Sequence, residues 1–287
     1  MERWAAVCGG DEVCTYRLCG MPPVALEAAR TQLQGARAIG YHAGMLLCAS
    51  GWGDTLWQLD ARTLAPAQVL PLGPGACRLI GVPGTECIYA LCEDADSVMT
   101  FSLRRGQPVM LARTGVQPRD MALDARGRRL IVAGGAAGEA QIFAAPSLQL
   151  LTRVQTPGLC AGVAWAGGRI YTFSMTEQAT GLLCMHDAHG RIRQSIETPA
   201  LPGGLCAVGE ETWAMYWGGA MQLDRWGNAR RTLRMEGLTE RAAAFPGGVI
   251  FCQPSTPRCV LLTARGAQSL RGGNDVCVYE TAAPGSQ

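Results

Sequence analysis

Lysine is missing from this sequence, and all 25 of its basic residues are arginine. Because 23 acidic residues oppose them, the formal net charge is only +2, and no block of like charges interrupts the chain. A nucleic-acid-binding surface needs a clustered basic patch, and a polybasic membrane anchor needs a basic run. We therefore expect neither a nucleic acid nor a membrane as a partner.

Long apolar runs and metal-binding spacings are also missing. No stretch approaches the roughly 18 apolar residues of a membrane-spanning helix, and the segment from Met1 to Glu12 lacks the apolar core of a signal peptide. The 13 cysteines are odd in number and include no Cys-x-x-Cys pair, which disfavours a structural zinc site and a disulfide framework. The sequence predicts a cytoplasmic protein with reduced cysteines and with neither a metal nor a cofactor.

Helical patterns are scarce, and a repeat of short strands is present instead. An apolar strand followed by a turn rich in Gly and Asp recurs at intervals of 37 to 43 residues. These strands begin at seven positions: Arg3, Met45, Cys87, Arg129, Arg169, Thr212 and Val249. A period of about 40 residues with four strands per repeat is typical of propeller blades. We predict an all-β fold, a seven-bladed β-propeller of four-stranded antiparallel blades, in which the helix-like segment Val24 to Gln34 is an outer strand.

The innermost strands of six repeats carry Gly or Ala at the fourth position, as at Gly40 and Ala122, and small residues suit the crowded axis of a propeller. The first repeat lacks such a strand. We predict that Asp275 to Tyr279 supplies it, so that the C-terminal strand joins the N-terminal blade and closes the ring. We expect one domain, 1–281, followed by a flexible tail, 282–287. The predicted blades are 1–34 with 274–281, 35–74, 75–116, 117–157, 158–200, 201–238 and 239–273.

One blade carries a family resemblance. The segment from Gln117 to Ala133, QPRDMALDARGRRLIVA, resembles the YVTN-type repeat of bacterial seven-bladed propellers, a WD40/YVTN repeat-like superfamily that includes the lactonase-like propellers. The other repeats match the spacing of this repeat more closely than its amino-acid sequence, and the Gly-His and Trp-Asp pairs of WD40 blades are missing. The resemblance implies a bacterial propeller and, as one alternative activity, hydrolysis of a lactone.

The inner strands of four blades begin with arginine, at positions that the repeat alignment makes equivalent: Arg37, Arg78, Arg119 and Arg241. We expect these guanidinium groups to surround one mouth of the central channel and to bind a carboxylate or a phosphate, which suits bidentate donors. His42, at the end of an inner strand, and Asp120 complete the predicted ligand-binding set. In the structural alternative each arginine pairs with a loop acid or caps the backbone of the next blade, with Asp120 and Glu240 as neighbours.

Few residues are suited to catalysis. The sequence has three histidines, of which His42 is interpreted as structural rather than as a base, whereas His186 and His189 are predicted to lie in a solvated turn. The acidic turn from Glu93 to Asp96 lacks the bidentate acid of a calcium loop and is predicted to be a solvated hairpin tip. Nucleophile-elbow and phosphate-loop motifs do not occur.

The leading hypothesis is a non-catalytic binding or scaffold propeller, expected to be a monomer, whose arginine-lined mouth takes a small anion or an acidic segment of a protein partner. The first alternative follows from the family resemblance: a lactonase-like hydrolase acting on an anionic sugar lactone, with His42 or Asp120 as base. The second is a protein-interaction propeller that uses its outer rim. Tryptophans in the turns, Trp52, Trp217 and Trp226, would suit such a surface, although packing between blades is the favoured interpretation for them.

Overall fold

A computed structural model describes residues 1–256 and 258–282. These residues form 27 strands in seven antiparallel sheets. They contain no helix, and hence none that is long and apolar enough to cross a membrane. The predicted tail, 282–287, lies outside the described residues apart from Ala282.

Each sheet is one blade, and its strands follow the chain from the axis outward. The first blade contains β1 (Glu2–Gly9), β2 (Glu12–Cys19) and β3 (Val24–Gln32). The second contains β4 (Ala36–His42), β5 (Met45–Ser50), β6 (Thr55–Asp60) and β7 (Pro66–Pro71). The third contains β8 (Ala76–Gly81), β9 (Cys87–Cys92), β10 (Ser97–Ser102) and β11 (Gln107–Arg113), and the fourth β12 (Asp120–Leu123), β13 (Arg129–Ala133), β14 (Glu139–Ala144) and β15 (Gln149–Gln155).

The remaining blades continue this order. The fifth contains β16 (Leu159–Ala166), β17 (Arg169–Met175), β18 (Gly181–His186) and β19 (Ile192–Thr198), and the sixth β20 (Pro202–Val208), β21 (Glu211–Leu223) and β22 (Ala229–Leu238). The seventh contains β23 (Arg241–Phe245), β24 (Gly248–Gln253), β25 (Arg258–Thr263) and β26 (Gly266–Arg271), and β27 (Asp275–Thr281) ends the chain. The helix-like segment of the first repeat is β3, as predicted.

In the sixth blade one long strand, β21, supplies both middle strands. Its first half pairs with β20 and its second half pairs with β22. Gly218 lies between the two halves with a φ of 88°, a left-handed conformation that glycine adopts without strain. The side chain of Gln222 donates a hydrogen bond of 2.8 Å to Glu211, which joins the two ends of β21. All seven blades are therefore four-stranded.

The C-terminal strand closes the ring. β27 pairs antiparallel with β1 and becomes the innermost strand of the first blade, which confirms the predicted closure. Tyr279 on β27 is buried, its hydroxyl donates to the carbonyl of Ala61 at 2.6 Å, and its ring stacks on Tyr41 at 4.4 Å. β27 therefore completes the first blade and also attaches that blade to the second one.

The hydrophobic core consists of seven clusters, one between each pair of neighbouring blades. Successive side chains of a strand point to opposite faces of the sheet, so every blade contributes to two clusters. Leu46 on β5 packs toward the first blade and Leu47 toward the third. Every blade is covered on both faces, and the cluster between the seventh and first blades completes the ring.

Tyr279→Ala tests the contribution of the closing strand. The variant should lose about 3–5 kcal/mol of unfolding free energy, because it creates a cavity and leaves a buried carbonyl without its donor. The measurement is urea unfolding, monitored by tryptophan fluorescence. Leu26→Ala, at a half-exposed position of β3 in the same sheet, is the control. The unfolding free energy of this control should change by no more than about 0.5 kcal/mol. Equal losses in the two variants would contradict a special role for β27.

Candidate functional site at the channel mouth

One end of the central channel opens into a cavity of about 800 Å³ to which all seven blades contribute. The inner strands begin at this end and the second strands finish there, so Arg37 and Arg119 line the cavity together with Trp52 and Glu93. Small-molecule sites in proteins commonly enclose about 300–1,000 Å³. The cavity is therefore the candidate functional site.

The strand pairing separates the four predicted arginines into two levels. Four charged residues pair with the second strand of their own blade near its mouth-side end: Arg78, Asp120, Arg241 and Asp275. Arg37 instead lies in a β-bulge at the start of β4, and Arg119 directly precedes β12. The four arginines therefore do not occupy one equivalent position, and Arg37, Arg119 and Arg241 line the cavity.

The upper level is the one nearer the solvent, and it has two guanidinium groups and one carboxylate. Arg37 forms an ion pair with one oxygen of Glu93, and Arg119 Nη1 lies 3.2 Å from the other. The Glu93 side chain is only 12% exposed, whereas that of Arg119 is 52% exposed. The prediction that the turn beginning at Glu93 is a solvated tip is therefore wrong for this residue, which the sequence reasoning missed as part of the site.

The lower level is a buried ion-pair network. Arg78 Nε lies 3.0 Å from Asp120 Oδ1, and Arg78 Nη1 donates to Asp275 Oδ1 at 3.0 Å. Both carboxylate side chains are 1% exposed. Burial acts to lower the pKa of Arg78, but the charges of Asp275 and Asp120 outweigh it and leave the pKa raised. Arg78 therefore remains charged.

Arg241 connects the two levels across the channel. It starts from the seventh blade and donates through Nη2 to the carbonyl of Arg119 in the fourth blade at 2.7 Å. Its Nη1 lies 3.7 Å from Asp120 Oδ1. Arg241 lines the cavity, whereas Arg78 and Asp120 lie outside its lining. Arg241 thus lies at the floor of the mouth, and Arg78 and Asp120 lie beneath it.

The two buried aspartates also connect blades. Asp120 Oδ2 accepts a hydrogen bond of 3.2 Å from the backbone N–H of Val163 in the fifth blade. Asp275 Oδ2 accepts one of 3.1 Å from the N–H of Ile39 in the second blade. Each aspartate therefore pairs with Arg78 and also holds the inner strand of the next blade.

The histidines lie away from this arrangement. His42 is at the opposite end of β4 from Arg37, where its Nε2 lies 2.7 Å from the carbonyl of Thr85. His186 is buried, with its ring nitrogens 2.9 Å from Thr172 Oγ1 and 3.1 Å from the carbonyl of Gly190, and burial lowers its pKa. The prediction of a solvated turn is therefore wrong for His186, and the structure does not bring His42 together with the arginines.

The turn tryptophans are exposed, which overturns the prediction that they pack between blades. Trp52, at 91% exposure, lines the cavity. The backbone N–H of Trp217 bonds to the carbonyl of Leu201, another cavity residue, so Trp217 lies on the same face. Trp226 lies elsewhere and packs under the guanidinium of Arg225 at 4.1 Å.

The fifth and sixth blades give the cavity an apolar side. At the positions equivalent to Arg119 these blades carry Ala161 and Gly203, each in a bulge of the inner strand. A Cβ on Gly203 would lie 1.8 Å from the carbonyl oxygen of Thr239, so no larger residue fits there. The apolar side is lined mainly by Leu159, Cys160, Met175, Leu201 and Pro202.

A scan of protein-family models finds no match for this chain, and a search of curated proteins also finds none. Solved structures do resemble it. A putative 6-phosphogluconolactonase from Bacteroides uniformis ATCC 8492 superposes with a TM-score of 0.77 at 11% identity, covering 97% of this chain and 99% of that chain. A functionally unknown protein from Desulfotomaculum acetoxidans DSM 771 gives 0.76 at 9% identity, with coverages of 96% and 98%. The Pan2 WD40 domain of Neurospora crassa gives 0.65 at 12% identity, with coverages of 83% and 79%.

The chain has the seven-bladed β-propeller fold, like these solved structures. The propeller fold that the resemblance of the fourth blade implied is confirmed. Identities of 9% to 12% show the fold alone, because propellers support many unrelated functions. The function of this propeller must therefore be argued from the residues that line its own channel mouth.

Arg78→Ala should destabilise this propeller more than any other change among the four predicted arginines. Removal of the cation leaves the buried Asp275 without an ion pair and Asp120 with only the longer contact to Arg241, a loss of about 3–5 kcal/mol. Arg119→Ala removes an exposed arginine and leaves Glu93 paired with Arg37, so it should cost no more than about 1 kcal/mol. Urea unfolding of the two variants beside the wild type measures the difference. Similar stabilities would contradict the two-level arrangement.

Proposed function

We propose that this propeller is a non-catalytic binding module whose channel mouth takes an anionic group, carried by a small ligand or by an acidic segment of a partner. One observation carries the proposal. Four guanidinium groups and only three carboxylates form one connected network: Arg37, Arg78, Arg119 and Arg241 with Glu93, Asp120 and Asp275. The network itself therefore has one more positive than negative charge, and Asp11, Asp94 and Glu240 line the cavity outside it.

Arg119 is the best-supported contact for the incoming anion. Arg37 and Arg119 share the single carboxylate of Glu93, so the uncompensated charge belongs to this pair. Arg119 is the more exposed of the two, and a guanidinium has five N–H donors, more than one ion pair uses. A carboxylate or a phosphate could bind it without displacing Glu93.

The hydrolase alternative has weaker support. Of its two bases, His42 lies at the other end of β4 from Arg37, and the Asp120 side chain is 1% exposed beneath the cavity and paired with Arg78. A base must come within hydrogen-bond reach of the substrate proton that it removes.

A cytoplasmic, monomeric protein with reduced cysteines remains our proposal on sequence grounds.

A thermal-shift screen of the purified protein tests the binding proposal. The panel contains acetate, isovalerate, dicarboxylates, inorganic phosphate, phosphorylated sugars, sugar lactones and nucleotides, because a ligand that binds the native state raises its Tm by mass action. We expect stabilisation by at least one anion and its loss in Arg119→Gln.

Arg153→Gln is the matched control for this screen. Arg153 on β15 is also 52% exposed and also pairs with one glutamate, Glu139, but it does not line the cavity. This variant should keep the wild-type response. No anion effect, or an effect that survives Arg119→Gln, would refute the proposal, and turnover of a sugar lactone would favour the hydrolase instead.

A further inference from the structure

The channel mouth is divided into a charged side and an apolar side. The arginines and their carboxylates come from the second, third, fourth and seventh blades and from β27. The fifth and sixth blades contribute Leu159, Met175, Leu201 and Pro202 and no charged side chain to the cavity. A ligand that fills this cavity therefore meets one cationic wall and one apolar wall.

The apolar surface continues beyond the cavity on the same face. Leu159, Leu201 and Trp217 are 41%, 37% and 53% exposed, and Trp52 projects from the opposite part of the rim. Val116, 54% exposed, belongs to this face because its carbonyl accepts from the N–H of Ala136, which lines the cavity. Exposed apolar side chains grouped around a pocket are typical of protein-docking surfaces.

Three acidic residues outside the arginine network limit the charge that the mouth accepts. Asp11, Asp94 and Glu240 line the same cavity as Arg119, and they repel a ligand that carries several negative charges. The arginine network itself has a single excess of positive charge, so we expect it to take a single carboxylate. Nucleotides and other polyanions fit this distribution poorly.

We propose that the mouth binds a peptide segment of a partner protein that places a single acidic side chain next to apolar side chains. The acid pairs with Arg119, and its apolar neighbours cover Leu159 and Leu201. This inference rests on the proposed function and specifies its ligand. A free carboxylate has the same anionic group but leaves the apolar face uncovered, so a small acid should bind far more weakly than a peptide.

The test is a fluorescence-polarisation selection from capped heptapeptides that carry a central glutamate between varied apolar or polar flanks. We expect binders with leucine-like flanks. Glutamine in place of the glutamate, or serine in place of the apolar flanks, should weaken binding about tenfold. Acetate and isovalerate should compete only at concentrations far above that of the peptide.

Protein variants test each wall of the mouth separately. Arg119→Gln and Leu201→Ser should each weaken peptide binding about tenfold. Arg153→Gln and Leu150→Ser are the matched controls, since Leu150 on β15 is 40% exposed away from the mouth, and both should bind as the wild type does. Unchanged Tm values show that the variants are folded.

The outcomes separate this inference from the proposed function. Equal binding of peptides with apolar and polar flanks, unaltered binding by Leu201→Ser, or isovalerate as tight as the best peptide would overturn the peptide inference. If no peptide binds while a small anion still stabilises the protein through Arg119, the peptide inference fails and the proposed function stands. If neither a peptide nor an anion acts on the wild type, both fail.

Discussion

Each blade has two apolar faces, and this constraint determines the architecture. On β5, Leu46 and Leu47 are buried against different neighbours, so the second blade cannot be covered from one side alone. A linear stack of blades would leave an apolar face exposed at each end. In the ring, the apolar faces of the seventh and first blades cover each other through the cluster between them, so no end face remains exposed. β27 holds this junction closed, and for that reason the last strand of the chain is as important to the fold as the first.

The same closure forces seven inner strands together at the axis, where the blades meet in two different ways. Between the fifth and sixth blades the backbones are in contact: a Cβ on Gly162 would lie 2.9 Å from the Cα of Gly204. On the other side of the axis the inner strands are connected through charged side chains, with Arg78 held between Asp120 and Asp275. The division of the mouth into an apolar and a charged side follows from these two kinds of contact.

The fold was predictable from the sequence because strand periodicity, turn residues and repeat length are local or regular features. The two levels of the arginines were not predictable, because the repeat spacing does not reveal where the inner strands bulge or how long their turns are. Two residues separate β4 from β5, whereas five separate β8 from β9. Both inner strands have a bulge, but Arg37 lies in the bulge of β4, whereas Arg78 follows the bulge of β8 and is paired. Glu93 was missed for a related reason, since its hairpin looks like any acidic turn until the ring brings two arginines to it.

Depth in the channel explains which charges serve the fold and which remain for a ligand. An unpaired charge is costly where water is excluded, and the lower level accordingly places Arg78 between two carboxylates with 1% exposure. Nearer the solvent the cost of an excess charge is small, so Arg37 and Arg119 can share a single glutamate. The arginine that the ion pairs leave in excess is therefore found at the level that a ligand can reach, whereas the buried pairs below it hold the neighbouring blades in place.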